Sequence, residues 1–260
     1  MKISTISHSE RCPNCKRKYI QEEGGKPFCF YCDLIAEEDK RIAAATERKH
    51  NEMIVKKFTG QCLMNERLAN CSFDNYIPVS PELDRAKKIT MRYAANYKKD
   101  NPVNLMLVGS YGTGKSHLSV SVVKALLSRG NSCLFISVPK LLTRLKSTYN
   151  KSSEQTEEEL LSHLEKMDLV VLDDVGAEKT KKEDDEFSWA RTKMFEIIDS
   201  RIGKHTIYTT NFSTNELLSM YGERNFSRMM ENTHLVEMNG ENYRLRNVKG
   251  IGGFKNERIM

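Results

Sequence analysis

A glycine-rich turn ends in a lysine and a serine at residues 109–116, with the sequence "GSYGTGKS". The spacing G-x-x-x-x-G-K-[ST] is typical of loops that bind phosphate, because the glycines allow several backbone amides to point at one anion. Lys115 would contact the β- and γ-phosphates of a nucleotide, and the hydroxyl of Ser116 would bind magnesium. The alternative is a fortuitous Gly-Lys-Ser sequence in a surface loop. The residues that we predict to bind ATP here are Gly109, Ser110, Tyr111, Gly112, Thr113, Gly114, Lys115, Ser116 and His117.

Two adjacent aspartates follow an apolar segment further along the chain, in "MDLVVLDDVGAE" at residues 167–178. Residues 169–172 predict a buried strand, and a carboxylate at the carboxyl end of such a strand is well placed to bind magnesium. We therefore predict that Asp173 holds the metal through water as part of the nucleotide site. Asp174 would polarise the water that attacks the phosphate. Acidic pairs are common on surfaces, but this pair ends a segment that should be buried, which favours ATP binding and hydrolysis.

Asn211 follows another apolar segment, "KHTIYTTN" at residues 204–211. A polar side chain at the end of this strand would orient the attacking water, which makes Asn211 a catalytic candidate. The alternative is an ordinary turn residue, because asparagine favours turns in general.

Two Cys-x-x-Cys pairs lie near the start of the chain, in "CPNCKRKYIQEEGGKPFCFYC". Each two-residue spacer lets the chain turn around one metal ion, so the set predicts a tetrahedral structural zinc site. Between the pairs we expect two short strands joined at Gly24 and Gly25, in a module too small to fold without metal. The alternatives are chance clustering or a redox dithiol, although a redox pair normally opens a helix of a larger fold. The predicted zinc ligands are Cys12, Cys15, Cys29 and Cys32.

Short apolar segments alternate with helix-forming segments after residue 104, which predicts a three-layer α/β fold with a parallel five-stranded sheet. The predicted strands are "NLMLVG" before the glycine-rich turn, "SCLFISV" (132–138), residues 169–172, "KHTIYTTN" (204–211) and "THLVEM" (233–238). Ahead of them, residues 33–58 contain no glycine or proline and are rich in Ala, Glu, Lys and Arg, which predicts a helix. This helix either connects two domains in solvent or binds a partner.

The composition is that of an ordinary folded protein, with 260 residues, of which 39% are hydrophobic and 29% charged. This length suits one domain of about 200 residues and a smaller appendage. The first residues lack the apolar core of a signal peptide, and no apolar segment is long enough to span a bilayer. We therefore expect a cytoplasmic protein without membrane association, in which Cys62, Cys71 and Cys133 are ordinary thiols. The net charge of +6 suits a nucleic-acid partner but does not by itself indicate one.

An ordered set of short motifs carries a family resemblance: "FDNY" (73–76), "GSYGTGKSHL", "VVLDDVGAEK", "IYTTNFS", "YGERNFSRM" and "NYRLRN". With these motifs the chain resembles the AAA+ ATPases of the DnaC/DnaI helicase-loader group, which are close to the IstB-like ATP-binding proteins. A zinc module before the ATPase domain is similar to the DnaI-like branch and to phage-encoded loaders. We therefore expect a zinc-binding module at residues 1–33, a helical linker at 34–65 and an AAA+ ATPase domain at 66–260.

The resemblance also implies roles for polar residues in the last part of the chain. Thr210 and Asn211 match the segment called sensor 1. Arg228 matches the arginine finger, which reaches the γ-phosphate bound by a neighbouring subunit. Arg244 matches the sensor 2 arginine and would contact the nucleotide. The neighbouring alternatives for the two arginine roles are Arg224 and Arg246.

Two features depart from the common AAA+ pattern. Asp174 occupies a position where many AAA+ proteins have glutamate, which agrees with the Asp-Asp pair of the loader group and predicts slow turnover. The chain ends soon after "NYRLRN", which leaves little room for a helical lid and agrees with the short loader architecture.

Residues 139–166 predict two helices separated by a polar break near residues 151–153. In the resembling family this region faces single-stranded DNA. Basic side chains would contact the DNA backbone and Tyr149 would stack on a base, whereas the alternative is that both helices only cover the sheet. The candidate cations are Lys140, Arg144 and Lys146, with Lys179, Lys181 and Lys182 in the loop at 177–189 as weaker candidates.

These features together predict an ATP-controlled helicase loader, in which the zinc module and the following helix hold a hexameric replicative DNA helicase. The ATPase domain would self-associate, with Arg228 acting in trans, and would contact single-stranded DNA. The second hypothesis is an IstB-like transposition helper ATPase that works with a transposase on duplex DNA. Further alternatives are a small-molecule phosphotransferase built on the same phosphate loop and a binding module that retains nucleotide without hydrolysing it.

Overall fold

The computed structural model describes residues 6–21, 26–59, 66–150, 155–178 and 185–245. The chain divides into two compact units, Met1–Met53 and Ile54–Met260. The smaller unit contains the two Cys-x-x-Cys pairs, and the larger unit contains the glycine-rich turn. The domain boundaries expected after residues 33 and 65 stay predictions.

The smaller unit contains two antiparallel strands and most of a long helix. β1 spans Ile6–Arg11, β2 spans Lys18–Gln21, and α1 spans Phe30–Thr59 through the segment that is free of glycine and proline. The expected hairpin between the cysteine pairs is wrong in part, because β2 pairs mainly with β1. The second expected strand is reduced to a single bridge between Ile20 and Phe28, since α1 begins directly afterwards. The expected turn residues, which lie outside the described residues, are Gly24 and Gly25.

The larger unit alternates strands and helices. Its strands are β3 Asn104–Val108, β4 Cys133–Ser137, β5 Leu169–Asp173, β6 His205–Thr210 and β7 Thr233–Glu237. Its helices are α2 Glu66–Ala69, α3 Pro81–Ala95, α4 Lys115–Leu127, α5 Val138–Ser147, α6 Glu157–Lys166, α7 Asp185–Ser200 and α8 Thr214–Met230, and a short 3₁₀ turn spans Tyr243–Leu245. Each expected strand is present, with ends that differ by no more than one residue. None of the helices in the described ranges is long and apolar enough to cross a membrane.

The five strands of the larger unit form one parallel sheet in the order β4-β5-β6-β3-β7. β3 lies between β6 and β7, so Val108 is level with Thr210 on one side and with Glu237 on the other. The carboxyl ends of β3, β5 and β6 therefore lie along one edge, where open α/β sheets bind their ligands. This arrangement confirms the predicted α/β fold with a parallel five-stranded sheet.

The side chains of the strands alternate between two apolar cores, one on each face of the sheet. Met106 and Tyr208 pack with buried side chains of α5, α6, α7 and α8. Leu105 and Leu107 pack on the opposite face with side chains of α3 and α4. Because both faces are covered, the strands are nearly continuous apolar segments, which is the pattern that predicts them. Two of the single cysteines are buried thiols, Cys71 and Cys133, and Cys62 lies outside the described residues.

Polar contacts set the ends of the helices on one face of the sheet. Thr156 and Ser213 begin α6 and α8 with capping boxes, in which each hydroxyl accepts from a backbone N–H three residues later and a glutamate bonds back. Arg201 is buried after α7, and its guanidinium donates to the carbonyls of Leu164 (2.9 Å) and Met167 (2.7 Å). These bonds tie the end of α6, which leads into β5, to the segment that leads into β6.

Candidate functional site

The glycine-rich turn connects β3 to α4 at the carboxyl edge of the sheet. Gly109 and Gly114 have positive φ values of 144° and 96°, and Gly114 directly precedes α4. A side chain on Gly109 would collide with the carbonyl group of Met238, and one on Gly114 would collide with the ring of Tyr76. The turn therefore requires glycine at both positions, and its backbone together with the amino end of α4 has the form of an anion-binding loop.

Tyr76 supports the glycine-rich turn from the segment before α3. Its hydroxyl donates to the carbonyl of Thr113 (2.8 Å), and its ring lies edge-on to the ring of His117, with the centroids 5.2 Å apart. Burial raises the pKa of Tyr76 to about 12, so the hydroxyl keeps its proton at neutral pH. His117 in turn contacts the carbonyl of Ser72 through Nε2 (2.8 Å). The sequence predicts no role for Tyr76, whose only signal is its place at the end of the "FDNY" motif.

Lys115 lies at the start of α4 and is 6% exposed. Its Nζ donates to the carbonyls of Gly109 (2.8 Å) and Ser110 (2.6 Å), at the first two positions of the turn. Burial lowers the pKa of Lys115 to about 8, while the carboxylates of Asp174 and Asp173 act in the opposite direction. The ammonium group is thus buried, and an anion next to it, such as a phosphate, would stabilise its positive charge.

Asp173 ends β5 close to the first turn of α4 and is 5% exposed. Its Oδ1 accepts hydrogen bonds from Ser116 Oγ (2.8 Å) and from Thr209 Oγ1 (2.6 Å). The pKa of Asp173 is raised to about 6, mainly by burial and to a smaller extent by the negative charge of Asp174. The adjacent carboxylates of Asp173 and Asp174 repel each other, and a cation bound next to them would offset this repulsion. The oxygens of Ser116 and Asp173 suit a divalent cation that prefers oxygen ligands, as magnesium does.

Asp174 occupies the turn after β5 with a positive φ of 58°, which is uncommon for a residue other than glycine. Its backbone N–H donates to Thr209 Oγ1 (3.0 Å), and the N–H of Val175 donates to the Thr209 carbonyl (2.8 Å). The Thr209 hydroxyl therefore accepts from the backbone of one aspartate and donates to the carboxylate of the other. Thr209, for which the sequence predicts no role, fixes the two aspartates relative to each other.

A cavity of about 840 Å³ lies between the glycine-rich turn and the two aspartates, and its volume suits a nucleotide. The predicted site residues that line it are Tyr111, Gly112, Thr113, Gly114, Lys115, Ser116, His117, Asp173, Asp174, Asn211 and Arg244. Gly109 and Ser110 instead supply the carbonyls that Lys115 contacts. Lining residues without a predicted role include Asn75, Ile77, Val79, Phe212 and Tyr243, and Lys140, a candidate for contact with DNA, also lines the cavity. In the sequence, the signal for the part of the cavity near Ile77 and Val79 is that these apolar residues follow directly after "FDNY". Both side chains are exposed in the structure.

Arg244 lies in the 3₁₀ turn Tyr243–Leu245, beside the glycine-rich turn. The N–H of Tyr243 donates to the carbonyl of Gly112 (3.1 Å), which brings the two turns together. Burial is the main cause of the lowered pKa of Lys115, and the positive charge of Arg244 lowers this pKa further. Arg244 thus lies at the same end of the cavity as Lys115, whereas the alternative residue, Arg246, lies outside the described residues.

The four cysteines of the Cys-x-x-Cys pairs converge in the smaller unit. Their Sγ atoms all lie within 4.8 Å of one another, with 3.8 Å between Cys12 and Cys32 and 3.3 Å between Cys15 and Cys29. Lys16 has a positive φ of 61° and donates its N–H to the Cys12 carbonyl (2.9 Å), which turns the chain tightly after the first pair. A tetrahedral zinc ion separates its sulfur ligands by about 3.8 Å. The cluster therefore fits one zinc ion.

The nucleotide site is accompanied by similarity to a known family over most of the chain. The sequence model of the family described as "IstB-like ATP binding protein" matches residues 34–250. The chain belongs to this family. The replicative helicase loader DnaC of Buchnera aphidicola subsp. Baizongia pistaciae is 30% identical over 214 residues, which cover 80% of this chain and 83% of the relative. The protein of the same name from Escherichia coli strain K12 is 29% identical, with 78% of this chain and 81% of the relative covered. The crystal structure of the DnaC helicase loader is similar with a TM-score of 0.59 at 28% identity, over 67% of this chain and 99% of that chain.

In this IstB-like ATP-binding protein, Arg228 lies away from the nucleotide cavity. Its guanidinium pairs with Asp199 (Nη2 to Oδ1, 3.1 Å) and lies over the ring of Phe195, 4.7 Å from the centroid. The side chain is 25% exposed and borders a small cleft with Asn104, the first residue of β3, at the opposite end of that strand from the glycine-rich turn. Arg224, the alternative residue, lies over the same ring at 4.6 Å. This placement leaves Arg228 at a distance from the cavity of its own chain.

Helices α5 and α6 of the IstB-like protein cover one face of the sheet. Their side chains that are fully buried in that core are Val138, Leu141, Leu145, Leu160 and Leu164. On the outer side, Lys146 Nζ lies 5.0 Å from the ring centroid of Trp189, and Trp189 Nε1 donates to the hydroxyl of Tyr149 (3.2 Å). Both helices therefore pack on the sheet, and contact with DNA stays a prediction. The polar break at residues 151–153 lies outside the described residues, as do Lys179, Lys181 and Lys182.

Proposed function

We propose that this protein binds ATP with magnesium and hydrolyses it. The observation that carries this proposal is the convergence of Ser116, Asp173 and Thr209 within hydrogen-bond distance at the end of the glycine-rich turn. Lys115 and the amides of the turn would bind the phosphates, while Ser116 and Asp173 would hold Mg²⁺. The bound metal offsets the negative charge of the phosphate oxygens.

Asp174 and Asn211 would act on the water that attacks the γ-phosphate. Both residues line the cavity, directly after the carboxyl ends of β5 and β6. Asp174 would polarise the water by accepting a hydrogen bond from it, and Asn211 would orient it. Because aspartate is shorter than the glutamate found at this position in many AAA+ proteins, we expect slow turnover that DNA or a partner stimulates.

Association of several copies would complete the site. Arg228 lies away from the cavity of its own chain, and a guanidinium from a neighbouring copy would stabilise the charge on the transferring phosphoryl group. Arg244 would contact the nucleotide of its own chain. The clustered cysteines would hold one structural zinc ion that folds the smaller unit.

We further propose that the protein is an ATP-controlled helicase loader. The supporting observation is its similarity to a replicative helicase loader over 80% of this chain. The smaller unit and α1 would bind a hexameric replicative DNA helicase, and the larger unit would contact single-stranded DNA through α5. The presence of ATP would switch the protein between holding and releasing the helicase. The protein would act in the cytoplasm.

A pull-down from an extract of the source cell tests the loader proposal. The full-length protein, immobilised with or without ATP and Mg²⁺, should retain a hexameric DNA helicase that mass spectrometry identifies. Lys115→Ala should remove the effect of ATP on this capture and should leave the zinc content unchanged. Retention of a transposase instead would favour a transposition helper ATPase, and capture of neither partner would contradict both functions.

Phosphate release with and without single-stranded DNA tests hydrolysis. The unmodified protein should release phosphate only with Mg²⁺. Asp174→Asn should lower kcat by about a hundredfold or more and leave the Kd for ATP within about twofold. Lys115→Ala should instead abolish ATP binding. Tight ATP binding without phosphate release by the unmodified protein would show a binding module that does not hydrolyse its nucleotide.

A further inference from the structure

A partly buried hydrogen bond connects the turn after β5 to helix α8. Glu178 Oε1 accepts from the hydroxyl of Tyr221, and Glu178 Oε2 accepts from the backbone N–H of Gly176 (2.9 Å). Tyr221 is 2% exposed, and burial raises its pKa well above the usual value, so the phenol keeps its proton and donates. If Glu178 were removed, the Tyr221 hydroxyl would be buried without its hydrogen bond. The pair therefore favours one arrangement of the turn and the helix.

The turn that ends in Glu178 is the turn that carries Asp174. At its beginning, the N–H of Asp174 donates to Thr209 Oγ1 (3.0 Å), and at its end Glu178 is held by α8. Between them, Gly176 packs so closely against Phe212 that an added Cβ would lie 2.6 Å from Cδ2 of that ring. Because the turn is short and closely packed, we expect a displacement of Asp174 to displace Glu178 as well.

Tyr221 lies directly before an interruption in α8. Gly222 has φ 76° and ψ 163°, a conformation that is essentially restricted to glycine. At this interruption, Arg191 of α7 donates its Nε–H to the carbonyl of Tyr221 (3.2 Å). The part of α8 after Gly222 carries Arg228. Tyr221 is thus the residue at which the Asp174 turn, α7 and the Arg228 segment meet.

We propose that Glu178 is a positioning residue, which acts through Tyr221 to align the Asp174 turn with the segment of α8 that orients Arg228. This inference rests on the proposed hydrolysis of ATP and on the action of Arg228 in a neighbouring copy. The contact between Glu178 and Tyr221 in one chain then sets the angle at which that chain presents Arg228 to the next. Glu178 and Tyr221 do not line the nucleotide cavity, so changes at either should alter turnover and spare affinity.

Steady-state ATP hydrolysis by the full-length protein is the first test. Glu178→Ala and Tyr221→Phe should each lower kcat by about tenfold to a hundredfold, with the KM for ATP within about twofold. The double variant should be no slower than the slower single variant, because both changes remove the same contact. A raised KM with unchanged kcat, or effects that multiply in the double variant, would overturn the proposal. Tyr221→Phe removes a single hydroxyl and keeps the test decisive if Glu178→Ala does not fold.

Two further variants separate positioning from general stability. Glu178→Gln should stay within about threefold of the unmodified kcat, because its amide can donate to the Tyr221 oxygen and accept from the N–H of Gly176. Tyr93→Phe removes the hydroxyl of another partly buried tyrosine, which donates to the carbonyl of Val103 (3.0 Å) and contacts Nδ1 of His205 (3.0 Å). This variant should leave kcat unchanged. A Gln variant as slow as Glu178→Ala, or an equal loss in Tyr93→Phe, would contradict the positioning role.

A mixing experiment tests the connection to Arg228. Lys115→Ala lacks the nucleotide site but carries Arg228, whereas Arg228→Ala carries the site but lacks the guanidinium. An equal mixture of the two should recover hydrolysis. When the Lys115→Ala chain also carries Tyr221→Phe, the recovered rate should be at least about tenfold lower. Full recovery by this second mixture would overturn the connection.

The outcomes distinguish failure of the inference from failure of the proposed function. Absence of hydrolysis by the unmodified protein would overturn the proposed function and the inference together. Hydrolysis by the unmodified protein with the same kcat in Glu178→Ala would overturn the inference alone. Failure of the first mixture would overturn the action of Arg228 in trans, and with it the orientation of Arg228 by Glu178.

Discussion

Removal of the Tyr76 hydroxyl should weaken ATP binding although the Tyr76 ring and the other side chains that line the cavity stay in place. The hydroxyl donates to the carbonyl of Thr113 (2.8 Å), and the ring in Tyr76→Phe still packs against Gly114 and His117. The variant therefore removes one hydrogen bond that holds the middle of the glycine-rich turn. Without this bond the turn can adopt other conformations, and phosphate binding must first restore the one that surrounds the anion.

The size of the effect follows from the contribution of one buried hydrogen bond. Such a bond contributes about 1 kcal/mol to stability. Thr113 is 3% exposed, so its carbonyl would find little replacement water in the folded turn. If the whole contribution is needed to restore the turn, the Kd for ATP rises about fivefold. This value is an upper limit, because Lys115 also holds the turn through its bonds to Gly109 and Ser110.

Isothermal titration calorimetry with a non-hydrolysable ATP analogue measures this change. Tyr97→Phe is the matched control, since the Tyr97 hydroxyl also donates to a backbone carbonyl, that of Asp168 (3.1 Å), outside the nucleotide cavity. Both variants should lose about 1 kcal/mol of stability in thermal unfolding, while only Tyr76→Phe loses affinity. A Kd within about twofold of the unmodified value in Tyr76→Phe, accompanied by the stability loss, would refute the role of the hydroxyl in shaping the turn.

Three further changes test the fold and the two sites. Arg201→Met should lower the free energy of unfolding by about 3 kcal/mol, and Tm by about 6–12 °C, because two carbonyls at the end of α6 lose their donors. The control Arg85→Met, on the exposed face of α3, should lower it by less than about 0.5 kcal/mol. Gly109→Ala should weaken ATP binding by about tenfold or more in calorimetry, because its φ of 144° and a neighbouring carbonyl exclude a Cβ. Gly203→Ala, where a Cβ would meet nothing within 4 Å, should leave the affinity unchanged. A chelator should remove about one zinc ion per chain and abolish the protection of backbone amides from hydrogen exchange in residues 6–21, while the Kd for ATP stays within about twofold. Amide protection that survived zinc removal would contradict the structural role of the metal.

The strands and the main site residues could be predicted because they depend on local sequence. β5 is buried on both faces, so residues 169–172 are all apolar, and the first polar residues after them mark the carboxyl end of the strand. Those polar residues are Asp173 and Asp174. The position of Lys115 could also be predicted from local sequence, because the glycine spacing and the start of α4 lie within a few residues of it.

Contacts between distant segments could not be predicted in this way. Tyr76 reaches Thr113 across 37 residues and Glu178 reaches Tyr221 across 43, and no periodicity or short motif connects such pairs. The position of β3 between β6 and β7 likewise depends on pairing between segments far apart in the chain. β1 is missed for a related reason: its sequence "ISHSER" is mostly polar, and only its pairing with β2 makes it a strand.

β3, the strand that leads into the glycine-rich turn, pairs only with β6 and β7, so both of its neighbours are synthesised long after it. The N–H of Met238, just after β7, donates to the carbonyl of Val108 at the base of the turn (2.7 Å). A growing chain therefore carries an apolar, unpaired β3 until nearly the whole domain has left the ribosome, which is the kind of surface that chaperones protect. We therefore expect chains that terminate before β7 to bind ATP more weakly, because the base of the turn lacks this partner.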